Sequence, residues 1–205
     1  MKDISVHILI VLNMITGMVA CSSKAERRNF AGIPFAEGDI VFRKGMGMKS
    51  QAVIRVDSLG LFSHSGIVVR VDSCFKIVHI TPDERQNGET EDIIKMELPE
   101  TFWGTDKAQR GAVYRLTDND SAPHTAAHHA LRLLHKGIVF DHDYDLTDST
   151  KLYCTELIWY VYWLAGTDIS SGKRSLLKNM PMSSGTYILP SDIYTNSELN
   201  LIFHF

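Results

Sequence analysis

Cys154 stands just ahead of Leu157-Ile158-Trp159-Tyr160-Val161-Tyr162-Trp163-Leu164, a run that reads as a helix from about Thr155 to Ala165 with Gly166 as its stop. A helix apolar on all sides is expected to be buried. A cysteine at the start of such a helix faces the positive end of the dipole, which favours the thiolate and so creates a nucleophile. A plain structural cysteine is the competing reading, since free cysteine is among the most buried residue types. A nucleophilic thiol also needs a base. Of the nine histidines, His64 lies in Phe62-Ser63-His64-Ser65-Gly66, a Ser/Gly turn before a β-branched run, and His79 lies in the next such run. The two runs, 66–71 and 75–80, pattern as a hairpin. With Asp72-Ser73 as a two-residue turn, Val71 pairs with Cys74 and His64 falls opposite Thr81, two residues from His79. The two histidines then project from one face as diagonal neighbours roughly 7–8 Å apart, within reach of two imidazoles. A three-residue turn would reverse the parity and separate them. Taken singly, His64 also fits a turn histidine bonded to backbone, and His79 a satisfied strand histidine.

The elements that must hold these groups are strands first and helices later. Asp39-Ile40-Val41-Phe42-Arg43 after Gly38 reads as a strand, followed by a short helix around Ser50 to Val56. Residues 92–98 and 112–116 are further strand candidates. Asp120-Ser121 and Pro123 open a helix to about Lys136, stopped by Gly137, and 199–205 reads as a closing strand. That order predicts an α+β fold with an antiparallel sheet. The 205 residues are 44% hydrophobic and 22% charged with a net charge of -3, which excludes a disordered chain and leaves no positive footprint for nucleic acid. Three cysteines without close spacing make neither a disulfide framework nor a zinc ribbon.

The first twenty residues read as an export signal rather than as fold. Lys2 precedes a largely apolar stretch from Ile4 to Ala20, short and interrupted for a membrane span. Val19-Ala20-Cys21 resembles a bacterial lipobox, from which Asp3 and Met18 depart. The expected organisation is a signal peptide over 1–20, a lipid-anchored tether over 21–35 beginning at a lipidated Cys21, and a catalytic domain over 36–205. The protein is expected to be extracytoplasmic, anchored by lipid to a membrane at the periplasmic face or the cell surface. An uncleaved anchor, or a plain signal peptide with an incidental Cys21, is the alternative.

Ser63-His64-Ser65-Gly66-Ile67-Val68-Val69, followed some ninety residues later by Tyr153-Cys154-Thr155-Glu156-Leu157, resembles the permuted papain-like amidases of the YiiX/YaeF type, within the NlpC-type superfamily of cysteine peptidases and amidases. The resemblance extends to Gly38-Asp39-Ile40-Val41-Phe42, to Phe140-Asp141-His142-Asp143-Tyr144-Asp145 and to Leu189-Pro190-Ser191-Asp192-Ile193, in family order. Each motif is short, and only their combination is specific. The resemblance implies a circularly permuted papain-like α+β fold, an antiparallel sheet packed against a buried helix that bears the nucleophile. It implies Cys154 as nucleophile, His64 as general base and His79 as the polar third residue. A histidine there orients His64 but cannot balance its positive charge as a carboxylate would, so it should be neutral and accept the His64 N–H. Thr155 replaces the more usual serine. The Cys154 N–H is the expected oxyanion donor, with Tyr144 as a second donor and Tyr153 as a further candidate on the substrate side. No metal or cofactor is expected.

Other polar groups have plainer readings. His124, His128 and His135 share one side of a helix by its 3.6-residue period, and a solvated stripe outweighs a metal pair. Asp141, Asp143, Asp145 and Asp148 lack the glycine and terminal glutamate of a calcium loop, and read as a substrate-side loop or as structural caps. Glu156 sits in a helix's first turn, where an acid needs no catalytic reason. Cys74 is expected to be a free hairpin residue. The leading functional reading is an exported cysteine amidase or peptidase acting on a peptide or acyl-amide substrate of the cell envelope. A lipid acyl hydrolase or acyltransferase using the same Cys–His pair is the first alternative, with Leu59, Leu61 and Phe62 lining an apolar cleft. A non-catalytic binding lipoprotein that has kept the fold is the second.

Overall fold

Alternating side chains along the early strands cover both faces of one sheet with core. In the computed structural model, which describes residues 28–82, 84, 90–177 and 185–205, the chain runs β1 (Ile40–Gly45), α1 (Met48–Val56), β2 (His64–Val71), β3 (Cys74–His79), β4 (Lys95–Glu97), α2 (Pro99–Phe102), β5 (Ala108–Leu116) and α3 (Ser121–Lys136). It continues β6 (Val139–Phe140), β7 (Lys151–Leu152), α4 (Cys154–Leu164), β8 (Ser175–Leu177), β9 (Gly185–Tyr187), α5 (Pro190–Tyr194) and β10 (Leu199–His204). Six strands form an antiparallel sheet in the order β10-β5-β1-β2-β3-β4, and the remaining strands make two small pairs. Cys21 and the expected signal segment lie outside the described residues.

Ile40, Phe42, Ile67, Val69 and Val78 point to one side, where α3 and α4 complete the main core. Ala126, Ala127 and Ala130 on α3 are small enough to bring that helix close. Val41, Val68, Ile77 and Val113 point to the other side, onto Phe102 and Trp103. Phe30 covers this second face, its ring 5.0 Å from Trp103, and Arg28 donates to the Ala108 carbonyl at 2.9 Å. Residues 28–35, assigned from sequence to the tether, are therefore packed on the sheet, because Phe30, Ile33 and Phe35 cover apolar surface that would otherwise face water.

The β2–β3 hairpin has the two-residue turn expected of it. Val71 pairs with Cys74, and Asp72 and Ser73 both take left-handed backbone, φ 51° and 65°, as the turn that matches strand twist requires. The parity that places His64 and His79 on one face follows. Gly137, at φ 66°, ends α3 where expected. The strand expected over 92–98 shrinks to β4, with Ile93 making only an isolated bridge to Val139. Nor is α4 buried all round: Trp163 is 55% and Leu164 44% exposed. Its last turn overhangs the core, and there Trp159 stacks on Trp163 at 5.7 Å beneath the Arg174 guanidinium.

Candidate active site

The start of α4 is pinned on both flanks of Cys154. The Tyr153 hydroxyl accepts the Ile188 N–H at 2.9 Å, and the Thr155 hydroxyl donates to the Ile188 carbonyl at 2.5 Å. One backbone residue of a distant segment thus fixes the residues on either side of the cysteine. Glu156 accepts the Tyr153 N–H at 3.2 Å, satisfying a donor that the helix itself leaves orphaned. Burial, with the Asp141, Asp145 and Asp148 carboxylates beyond, pushes the Glu156 carboxyl up to about 8, while the Tyr153 N–H pulls the other way. Near neutral pH Glu156 is therefore mostly protonated, and it does not set a full negative charge beside the thiol.

Cys154 itself is half-buried. Burial pushes its thiol above the ordinary cysteine value; the N–H groups of Ser65 and Thr155, the Ser65 hydroxyl and the Arg43 charge pull it down without prevailing. The helix start supplies the stabilising N–H groups that favour thiolate, yet desolvation outweighs them and the resting group is the thiol. The Ser65 hydroxyl is completely buried, and the Cys154 sulfur is the group it can serve as a donor.

Register decides which strand residue meets the thiol. Ser65 pairs with Phe42 and faces α4, whereas His64 pairs with Arg43 and faces α2, its ring 5.6 Å from Phe102. The thiol thus meets Ser65, one position along β2 from His64, and its partners in this structure are on Ser65 and Thr155 rather than on the His64 ring. Hydrogen bonds of this kind are often long in ligand-free enzymes and tighten in the complex.

His64 and His79 are brought together as the hairpin parity requires. Nε2 of His64 lies 2.9 Å from Nδ1 of His79, both rings buried. On the far side, Nε2 of His79 lies 3.2 Å from Glu97 Oε2. Burial drives His64 well below the ordinary histidine value, and the Arg43, His79, Lys95 and Lys107 charges push the same way. Burial also lowers His79, to about 4, with Glu97 pulling it up. Burial works against ionisation of Glu97, but His79 and Lys107 outweigh it and hold the carboxyl at about 2. At neutral pH the chain is two neutral imidazoles ending on a carboxylate. Glu97 is the site residue that sequence reading missed, since nothing in the residues before β4 fixes that strand's register against β3.

The remaining candidates sort cleanly. The Tyr144 ring lies 5.3 Å from Tyr153 and is 36% exposed, at the edge of the α4 start. The Tyr153 hydroxyl is engaged by Ile188 and holds the helix in place. Asp141 accepts the Asp143 and Asp145 N–H groups, and Asp145 and Asp148 accept from Thr147 and Thr150, so these acids cap their own loop. His124, His128 and His135 line the exposed side of α3, with His124 on Glu37 at 3.0 Å. Cys74 is free and exposed at the start of β3. Two surface cavities, of about 170 and 470 Å³, lie against α3–α4 and beside Asp118 and Thr167, and neither is lined by Cys154, His64 or His79.

Gly66 explains itself sterically. A Cβ there would meet the Ile77 side chain at 2.6 Å, the Val78 carbonyl at 3.1 Å and the His79 Cβ at 3.2 Å. Gly66→Ala is expected to lower the urea midpoint, costing about 1–3 kcal/mol by overpacking, and to slow turnover by displacing His79.

A family model described as "Permuted papain-like amidase enzyme, YaeF/YiiX, C92 family" matches residues 34–203. A crystal structure described as the metalloprotein yiiX from Escherichia coli O157:H7 superposes with a TM-score of 0.62 at 18% identity, covering 82% of this chain and 96% of that one. A comparison with curated proteins found no match. Among the described residues of this chain, no three His, Cys, Asp or Glu side chains gather as a metal site. The facing nitrogens of His64 and His79, 2.9 Å apart, are spaced for a hydrogen bond to each other rather than for a shared ion. The described residues do not fit a metal centre.

Proposed function

The chain belongs to the permuted papain-like amidase family, and we propose that it is an exported cysteine hydrolase that cleaves an amide bond of a cell-envelope substrate through a thioester. The observation that most supports this reading is the 2.9 Å contact between two buried histidines on β2 and β3, beside a helix that begins with cysteine. Cys154 attacks the substrate carbonyl while its proton passes to the His64 nitrogen not engaged by His79. The carbonyl electrons move to oxygen, and the Cys154 N–H faces that oxyanion, with Tyr144 as the second donor. Collapse expels the amine, which takes the proton back from His64. Water, deprotonated by His64, then opens the thioester, releasing the acid and restoring the thiol. Cys21 carries the lipid anchor in this proposal, with the domain held outside the cytoplasmic membrane.

One feature favours a second reading, in which the acyl group belongs to a lipid. Met46, Met48, Leu59 and Leu61 are all exposed, on the segments that flank the end of β1 and the start of β2. The Gly45 N–H bonds the Ser63 hydroxyl at 2.9 Å, which ties these segments together one residue from His64. Such a rim suits an acyl chain. Incubating the wild-type protein with peptidoglycan stem peptides and with acyl lipids, using Cys154→Ala as the blank, tests the assignment. Release of amine from the peptides alone is expected. Turnover of the lipids alone replaces the first reading with the second, and Cys154-independent turnover defeats both.

A further inference from the structure

We propose that Glu97 is a positioning residue for this reaction: its carboxylate sets the direction of the His79–His64 hydrogen bond and balances the imidazolium that forms on His64. The inference rests on the assignment of Cys154 and His64 above.

Hydrogen-bond polarity runs along a chain of three side chains, Glu97, His79 and His64. The His64–His79 contact at 2.9 Å has one proton between Nε2 and Nδ1, and either ring could supply it. Were His79 the donor, its Nε2 would present a lone pair to the Glu97 carboxylate at 3.2 Å, and two acceptors would repel. The carboxylate therefore selects the His79 tautomer protonated at Nε2. His79 Nδ1 then accepts the Nε2–H of His64, and the proton-free nitrogen of His64 is Nδ1. That is the tautomer a base must hold before it takes the thiol proton.

Charge makes the same case. Around the two rings stand Arg43 from β1, Lys95 from β4, Lys107 ahead of β5, and two carboxylates, Glu84 and Glu97. Arg43, Lys95 and Lys107 all pair with Glu84, and Lys107 also lies 3.2 Å from Glu97. Phe102 covers both rings and contributes no charge. Glu97 is the carboxylate in contact with the histidine chain, so it favours a proton arriving on His64 against the Arg43, Lys95 and Lys107 charges, which Glu84 already offsets in part. When the Cys154 proton moves to Nδ1, Nε2–H stays with His79 and His79 Nε2–H stays with Glu97. One proton is transferred, and the charge is balanced at a distance.

The test is the pH dependence of Cys154 alkylation by iodoacetamide, followed by peptide mass mapping. It compares wild type, Glu97→Gln, Lys107→Met and His64→Ala, with circular dichroism to confirm folding. Glutamine keeps an acceptor oxygen for His79 but loses the charge, so the profile is expected to move to higher pH by about one unit, about tenfold slower at neutral pH. Lys107→Met removes an opposing cation and should move the profile to lower pH, a reversal that a merely structural role would not produce. A slow His64→Ala together with an unchanged Glu97→Gln profile overturns the role of Glu97 alone. His64→Ala alkylated like wild type overturns the base assignment and this proposal with it. Should Glu97→Gln fail to fold, Lys107→Met decides: a downward move supports the proposal and no move overturns it.

Discussion

Alkylation of Cys154 at neutral pH should fall about 10²-fold or more when His64 is replaced by alanine, the low end of what a positioned general base contributes. The size of the effect follows from the resting protonation states. Burial raises the Cys154 thiol and drives His64 well below its ordinary value, so both groups are neutral at pH 7 and no ion pair stands ready. The thiol must shed its proton as it reacts. Without His64 its neighbours are the Ser65 N–H and hydroxyl, the Thr155 N–H and the Arg43 charge. These stabilise negative sulfur, yet none accepts a proton at neutral pH. The exposed thiol of Cys74 provides the reference within each sample, because it lies outside the site and should react equally in both proteins. Peptide mapping after timed exposure to iodoacetamide separates the two cysteines. Equal Cys154 rates in wild type and His64→Ala would remove His64 from the base role. The rate in wild type should also climb with pH, since its thiol starts above the ordinary value.

What sequence could show of this site depended on whether a residue's position is set locally. The His64–His79 contact was legible because a two-residue turn fixes hairpin parity, and the Asp72-Ser73 turn does so here. The helix beginning at Cys154 was legible from its apolar run and Gly166. Two short helices, α2 with four residues and α5 with five, were not, because neither spans enough turns to show a period. Glu97 depends on how β4 aligns with β3 across a long connection, and no turn signal specifies that. The residue that meets the thiol was hidden for another reason. Both faces of β2 are covered by core, so alternation along Ser65-Gly66-Ile67-Val68 does not tell which side the helices occupy. The raised thiol was missed because helix-dipole reasoning counts the N–H groups at a helix start and omits the water that packing removes.

Glu156→Gln should make the protein less sensitive to alkaline pH, by a few kcal/mol at about 1.4 kcal/mol for each pH unit between the folded and unfolded titrations. The folded carboxyl titrates at about 8, pushed up first by burial, against an ordinary value of 4.5. Between those values the folded state holds a proton that the unfolded state has released. Stability from this group therefore falls as pH rises through the window and is lowest above it. The histidines work oppositely over part of the same range. His79, at about 4 when folded and 6.5 when not, makes stability rise with pH between those values. A wild-type pH curve mixes the two slopes, but the difference between wild type and Glu156→Gln cancels every group they share. Glutamine keeps the oxygen that accepts the Tyr153 N–H, so the helix start and the hydroxyl clamp on Ile188 should survive. Urea midpoints at about pH 5 should nearly coincide, and by about pH 8.5 the variant should be the more stable. A difference that stayed constant across that range would mean that Glu156 is ionised in the folded protein throughout. The α4 start would then hold a negative charge beside Cys154, and the thiolate would have to form against it.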